Sequence, residues 1–150
     1  MKTTFLKSVI ALFLIAVTLS SCTDDDPVTL PPLVEASSLA YAEGGVALAY
    51  VTNPYASASS NTIFGNNGTT NIIEIKLSSL LVGVYTIGEI NKFKYTRVGT
   101  TSPWNAISGT ITIETISDNK VTGFFNLTAG NSDLGINTVS GKFINVVINP

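Results

Sequence analysis

Residues 108–129 read SGTITIETISDNKVTGFFNLTA. Ile111 and Ile113 alternate with Thr110, Thr112 and Glu114. After Asp118-Asn119, Val121, Phe125 and Leu127 alternate with Lys120, Thr122 and Asn126. An apolar residue at every second position turns one face of an extended chain to a core and the other to water. Asp and Asn tolerate the positive φ angles of a two-residue hairpin turn, so the stretch predicts two antiparallel strands joined at Asp118-Asn119. The same period runs outward from it. In NIIEIKL (71–77), Ile73, Ile75 and Leu77 share one face, and Ile72, Glu74 and Lys76 the other. In KFKYTRV (92–98), Phe93 and Tyr95 alternate with Lys92, Lys94 and Thr96. Asn67-Gly68 offers a second hairpin turn, between NTIFG and NIIEIKL. The reading is all-β, with about eight strands near 46–51, 60–65, 70–78, 83–88, 92–98, 108–116, 120–128 and 138–148. Sequential hairpins arrange them as an antiparallel β-sandwich or flattened barrel over residues 39–150.

A weak echo runs through the C-terminal half. Ser108-Gly109-Thr110-Ile111, Thr122-Gly123-Phe124-Phe125 and Ser140-Gly141-Lys142-Phe143 share a hydroxyl, a glycine, any residue and a large apolar residue. Such glycines line a groove, or they mark bulges and places where a neighbouring ring needs room. The second reading is simpler, because a bulky core candidate follows each glycine two residues on.

Composition narrows the function. Apolar residues make up 45% of the 150, enough for a core, while only 12% are charged, against about 25% in ordinary soluble domains. Two of the eight bases, Lys2 and Lys7, sit at the extreme N-terminus. Without them ten acids face six bases, a net charge of −4. No basic stripe remains, so no nucleic-acid partner is expected. The chain has no histidine, which removes the commonest general base and metal ligand.

The first residues, MKTTFLKSVIALFLIAVTLSSC, set a short apolar run, Val9 to Val17, between Lys2/Lys7 and the small Ser20 and Ser21. That is the order of a secretory signal peptide, and the run is shorter than the roughly 20 apolar residues a membrane span needs. The expectation is a removed signal-peptide helix over 1–21. Leu19-Ser20-Ser21-Cys22 resembles the bacterial lipobox. The resemblance implies cleavage before Cys22 and attachment of lipid to its sulfur and its new amino group. Cys22 is the only cysteine, so it has no disulfide partner. Two or more acyl chains anchor a protein stably, at about 0.8 kcal/mol per buried methylene.

Residues 22–38 carry Pro27, Pro31 and Pro32 and read as an extended tether. Asp24, Asp25 and Asp26 do not converge as calcium ligands would. Their position just after the cysteine is similar to the surface-export signal of Bacteroidota-type lipoproteins. That resemblance implies an outer-membrane, surface-exposed location. GVYTIG, FKYTR, SGTITIETISDNKVTGFFNLTA and VSGKFINVVI also resemble the small β-rich domains of uncharacterised lipoproteins of that group, over roughly residues 70–148. This second resemblance implies fold and location and lends no catalytic residue.

No phosphate loop or nucleophile elbow occurs. A two-carboxylate hydrolase would have to draw on Glu35, Glu43, Glu74, Glu89, Glu114, Asp118 and Asp133, each of which has a sufficient structural role. The expectation is no enzyme, no metal and no cofactor. Asn131, Ser132, Asp133 and Asn137 lack the spacing of a calcium loop. Binding has more to work with. Trp104 sits in the Pro-containing loop TTSPWN, and Tyr41, Tyr50 and Tyr55 cluster around the first strand. Exposed aromatics of this kind stack on sugar rings or anchor protein interfaces; alternatively, Trp104 caps an open end of the fold. The expected role is a non-catalytic binding domain for a glycan or protein ligand, with Trp104, Tyr55 and Tyr41 as candidates. The alternative is a structural or accessory subunit of an envelope assembly.

Overall fold

The computed structural model describes residues 35–45, 49–66, 71–96, 103–129 and 137–150. The signal-peptide helix, the Asn67-Gly68 turn and Asp133 lie outside them. The described residues form one unit, Glu35–Pro150, and hold ten strands and no helix. Three long ones make a continuous meander: β8 (Trp104–Ser117), β9 (Lys120–Ala129) and β10 (Thr138–Asn149). Asp118 and Asn119 have φ of 50° and 55°, the left-handed pair a two-residue turn demands.

Each outer edge of the meander serves two short segments in succession. β10 pairs along its first half with β1 (Ser38–Glu43), and with β3 (Tyr55–Ser57) along Val147–Asn149. Between the two, the β9–β10 register shifts across Phe143/Val146, and Asn145 there adopts φ 50°. Its amide N–H is taken by Thr122 Oγ1 at 2.9 Å. β8 pairs with β7 (Lys92–Tyr95) at Trp104–Asn105 and with β6 (Gly83–Thr86) at Thr110–Ile113. β4 (Thr62–Asn66) and β5 (Asn71–Lys76) complete a closed ring, β10-β3-β4-β5-β7-β8-β9. The fold is therefore a closed seven-stranded barrel, with β6 and the β1–β2 pair (β2, Ala49–Val51) added beside it. Of the two architectures the pattern allows, the barrel is the one formed.

Four details depart from the sequence reading. β1 and β3 occur where no strand was expected: in β1 the apolar Ala40 and Ala42 blunt the alternation of Leu39 and Tyr41, and β3 is three residues within a run of small polar ones. β8 begins at Trp104, so this residue belongs to a strand and not to a loop. β6 does not pair with its sequence neighbours; it crosses to β8, leaving β5 to pair with β7. The remaining expected strands are present among the described residues.

Inward positions fill the barrel. Ile63, Ile73, Ile75, Ile111, Leu127 and Phe143 have no exposed surface. Phe93 packs edge-on to Trp104 at 5.9 Å and tilted on Phe125 at 5.1 Å. The glycine echo now has its explanation. Across β9 and β10, Gly141 stands opposite Phe125, and Gly123 opposite Phe143. A Cβ on Gly141 would lie 2.3 Å from the Ala40 carbonyl oxygen and 2.5 Å from Phe125 Cζ, and one on Gly123 would lie 2.0 Å from the Thr112 carbonyl oxygen and 2.6 Å from Phe143 Cζ. Each ring occupies the space its partner glycine leaves. Gly109, at φ 114°, faces Leu127 instead of a ring.

Gly141→Ala or Gly123→Ala must therefore displace both a ring and the backbone of the neighbouring strand, and each is expected to cost at least about 1–3 kcal/mol. Equilibrium urea unfolding, followed by the emission of the single buried tryptophan, measures this. A change under about 0.5 kcal/mol, the ordinary surface value, would refute the ring-over-glycine packing.

Candidate functional site

Closure of the ring also orders the outside. Val147 stands opposite Tyr55, Tyr55 opposite Phe64, Phe64 opposite Glu74, Glu74 opposite Lys94, and Lys94 opposite Asn105. The alternate positions on the same strands, Ala56, Ile63, Ile75 and Phe93, are buried, so this row faces outward. Its centre is aromatic: the Tyr55 and Phe64 rings stack at 4.9 Å with 24° between planes. Both are half-buried, and Val147 beside them is 42% exposed.

Next to the rings lies an open groove of about 410 Å³ lined by Ser37, Asn53, Pro54, Tyr55, Val147 and Asn149. Pro54 fixes one wall and Asn53, at φ 52°, turns the chain into β3. The lining offers amide and hydroxyl groups, which donate and accept, beside an aromatic ring. None of its side chains is charged. Nearby, Asn145 Nδ2 donates to the Glu35 carbonyl at 2.8 Å.

The three aromatic candidates separate. Tyr55 is at the surface, in the groove wall. Trp104 is 2% exposed and Tyr41 8%, so neither presents a face to a ligand. Trp104 is drawn in because Tyr95 and Trp104 pair across β7 and β8, which turns the indole onto Phe93. Tyr41 packs on Tyr95 at 5.1 Å. The Tyr95 hydroxyl donates to the Glu43 carboxylate and stands 3.4 Å from the Tyr41 hydroxyl. This polar cluster ties β1 to β7. Burial, followed by the hydrogen bond to Glu43, raises the Tyr95 pKa far above its ordinary value of 10.0.

The described carboxylates are dispersed over separate elements: Glu35 before β1, Glu43 at its end, Glu74 on β5, Glu89 after β6, Glu114 on β8 and Asp118 in the hairpin turn. Among the described residues no three His, Cys, Asp or Glu side chains are grouped to hold a metal. Leu19, Ser20, Ser21, Cys22 and Asp24, Asp25 and Asp26 lie outside the described residues. The sequence reading did not include Phe64, Val147, Asn53 or Asn149. The period of two does place Phe64 opposite in face to Ile63, a signal that would have marked it as outward.

The class defined so far is a small closed β-barrel carrying an outward aromatic platform beside an amide-lined groove. Residues 49–147 match the family described as Domain of unknown function (DUF6252), and the chain belongs to that family. The match begins with the first residue of β2 and reaches into every strand of the ring. No curated protein and no solved structure matches the chain.

The Tyr95 cluster predicts a pH dependence. Below about pH 10 Tyr95 is protonated in both the folded and unfolded states. Above it the unfolded chain loses the proton and the folded one keeps it, so stability falls as pH rises. Tyr95→Phe is expected to be less stable at neutral pH, by about 1 kcal/mol for the lost hydrogen bond, and to lose stability less steeply above pH 10. Urea midpoints measured from pH 8 to 11 test it; parallel pH curves for the two proteins would contradict it.

Proposed function

We propose that this protein is a lipid-anchored lipoprotein of the bacterial outer membrane, held through Cys22, whose barrel is a non-catalytic recognition module for a glycan or protein ligand. The stacked Tyr55–Phe64 pair, turned outward beside the groove, carries the binding part of this reading. Large aromatic rings are ordinarily core residues, and here two stack on the outer face while Phe93, Phe125 and Trp104 fill the inside. The anchor rests on the Leu19-Ser20-Ser21-Cys22 pattern after a short apolar run, and the surface location on Asp24, Asp25 and Asp26. An apolar barrel interior supports the same reading, since the core lies inside the ring and lipid chains do the attaching.

The accessory-subunit reading has one observation in its favour. Val84 on β6 is 67% exposed, with Leu81, Val82 and Ile90 similarly exposed around it. Among the described residues β6 pairs only with β8; on its other edge Asn91 Nδ2 donates to the Thr86 carbonyl at 3.0 Å, which leaves the stretch around Val84 for a partner.

Two substitutions in one expression experiment test the two halves. Cys22→Ser is expected to lose incorporation of a fatty-acid analogue and to leave the membrane fraction. Tyr55→Ala is expected to stay in that fraction and keep the buried-tryptophan emission, yet lose retention on a glycan array. Continued labelling of Cys22→Ser would overturn the anchor. Unchanged array binding by Tyr55→Ala would overturn the platform.

A further inference from the structure

Between Lys76 at the end of β5 and Lys92 at the start of β7 the chain makes one excursion, which carries β6. Residues 77–88 of it, LSSLLVGVYTIG, hold no charge. Leu81, Val82, Val84 and Ile90 are 63–67% exposed. Asn91 ties the excursion together: its Oδ1 accepts from the Ser78 amide at 2.8 Å, and its Nδ2 donates to Thr86. The four side chains expose on the order of 400 Å², a patch of the size that is often functional on a monomer. That is about half of the 800 Å² that each side of a stable protein complex contributes, too little to hold a second copy of the chain.

The Leu81–Val82 turn is pinned from inside. Tyr85 is buried opposite Ile111. Its hydroxyl accepts from the Leu81 amide at 3.2 Å, donates to the Leu81 carbonyl at 2.7 Å and stands 3.1 Å from Ser79 Oγ. Both backbone groups of Leu81 therefore have a protein partner. A turn in water has no need of this, because water supplies the partner. A turn that enters hydrocarbon must satisfy such groups internally.

The N-terminal chain leaves from the same side of the sheet. Gly83 pairs with Ile113, and Ser38 with Ile144. From there β8 runs on to the Asp118-Asn119 turn, and Val147 of β10 stands opposite Lys120, just past that turn. Leu81 and Val82 precede Gly83, and Glu35–Ser37 precede Ser38, so both segments lie toward the turn. Asn145 holds Glu35 there. β6 and β1 are four strand spacings apart, about 19 Å. The 13 residues from Cys22 to Glu35 span at most about 45 Å, enough to let the β6 corner rest on the bilayer.

We propose that the Leu81–Val82 turn, with Val84 beside it, dips into the headgroup boundary of the bilayer that holds Cys22. It is a second, shallow membrane contact, and it sets the orientation of the barrel. The inference rests on the anchor reading above. The charged residues of the excursion and its two ends, Lys76, Glu89 and Lys92, carry both signs, so burial of apolar side chains drives the contact and anionic headgroups are not required. Tyr55 and Phe64, on β3 and β4, are left free.

The test uses the acylated full chain in phosphatidylcholine vesicles. With Cys22 lipidated, Val82→Cys supplies a single thiol for an environment-sensitive fluorophore, and Thr138→Cys, exposed at the far end of β10, supplies the control. The label at 82 is expected to shift to the blue and to be quenched by lipid spin-labelled near the headgroup, equally at low and high salt. The label at 138 is expected to do neither. A label at 82 left unquenched while the protein floats with the vesicles overturns the contact and leaves the anchor standing. Quenching at both positions overturns the orientation. A blue shift at 82 that needs no lipid and grows with protein concentration overturns the proposal in favour of a second copy. A label that is water-exposed in vesicles but blue-shifted in native membranes overturns it in favour of a protein partner. If the chain carries no lipid, the anchor reading fails; Cys22→Ser/Val82→Cys mixed with the same vesicles then reads the turn alone, and absence of quenching overturns it.

Discussion

Seven strands cannot close into a ring with antiparallel neighbours throughout. Each antiparallel step reverses direction, so after six of them the last strand runs the same way as the first, and the closing pair must be parallel. Here that pair is β3 and β10, matched over Tyr55–Ser57 and Val147–Asn149, with the Ala58 amide donating to the Asn149 carbonyl at 2.8 Å. Much else follows from it. β10 has to be long enough to serve β1 first and β3 afterwards. The left-handed residue at Asn145 and the register shift beside it mark the change of partner. The seam also sets Val147 next to Tyr55, and with it one wall of the groove. Without closure, the outward row of residues would end at β3 and no groove would form.

The interior answers the same demand from the other side. A ring this small must bring β9 and β10 close while enclosing several large rings. The exchange of Gly141 under Phe125 and Gly123 under Phe143 lets two phenylalanines occupy adjacent strands without separating the backbones. Phe93 and Trp104 then fill the space against Phe125. Ala56 and Ile63 take the inward positions of β3 and β4, so the period of two sets Tyr55 and Phe64 on the outer face.

What was legible in the sequence is what is local. Alternation in residues 108–129 marks β8 and β9, and Asp118-Asn119 marks their turn, because each depends only on neighbours in the chain. The glycine echo pointed to rings needing room, though the sequence could not say which ring answers which glycine; the cross-strand register decides that. The parallel seam was hidden. Its strand on one side is Tyr55-Ala56-Ser57, inside a run of small polar residues whose propensity says loop, and only pairing with β10 makes it a strand. Trp104 was misplaced for a related reason: Pro103 and the preceding hydroxyl residues signal a turn, while its burial comes from Tyr95, nine residues earlier in sequence. Tyr55 was identified as one of three tyrosines around the first strand, but Phe64 and Val147 join it only through long-range pairing. The segment with the most explicit chemistry, Leu19 to Asp26, lies outside the described residues and is read from its pattern alone.

The most direct measurement is of the seam itself. In nuclear Overhauser spectra of the labelled protein, Ala56 should show backbone contacts to Ile148, flanked by Tyr55–Val147 and Ser57–Asn149, and the Ala58 amide should exchange slowly. Absence of these contacts, with the β8–β9–β10 ladders intact, would mean an open sheet and would contradict both the closed barrel and the site built on its closure.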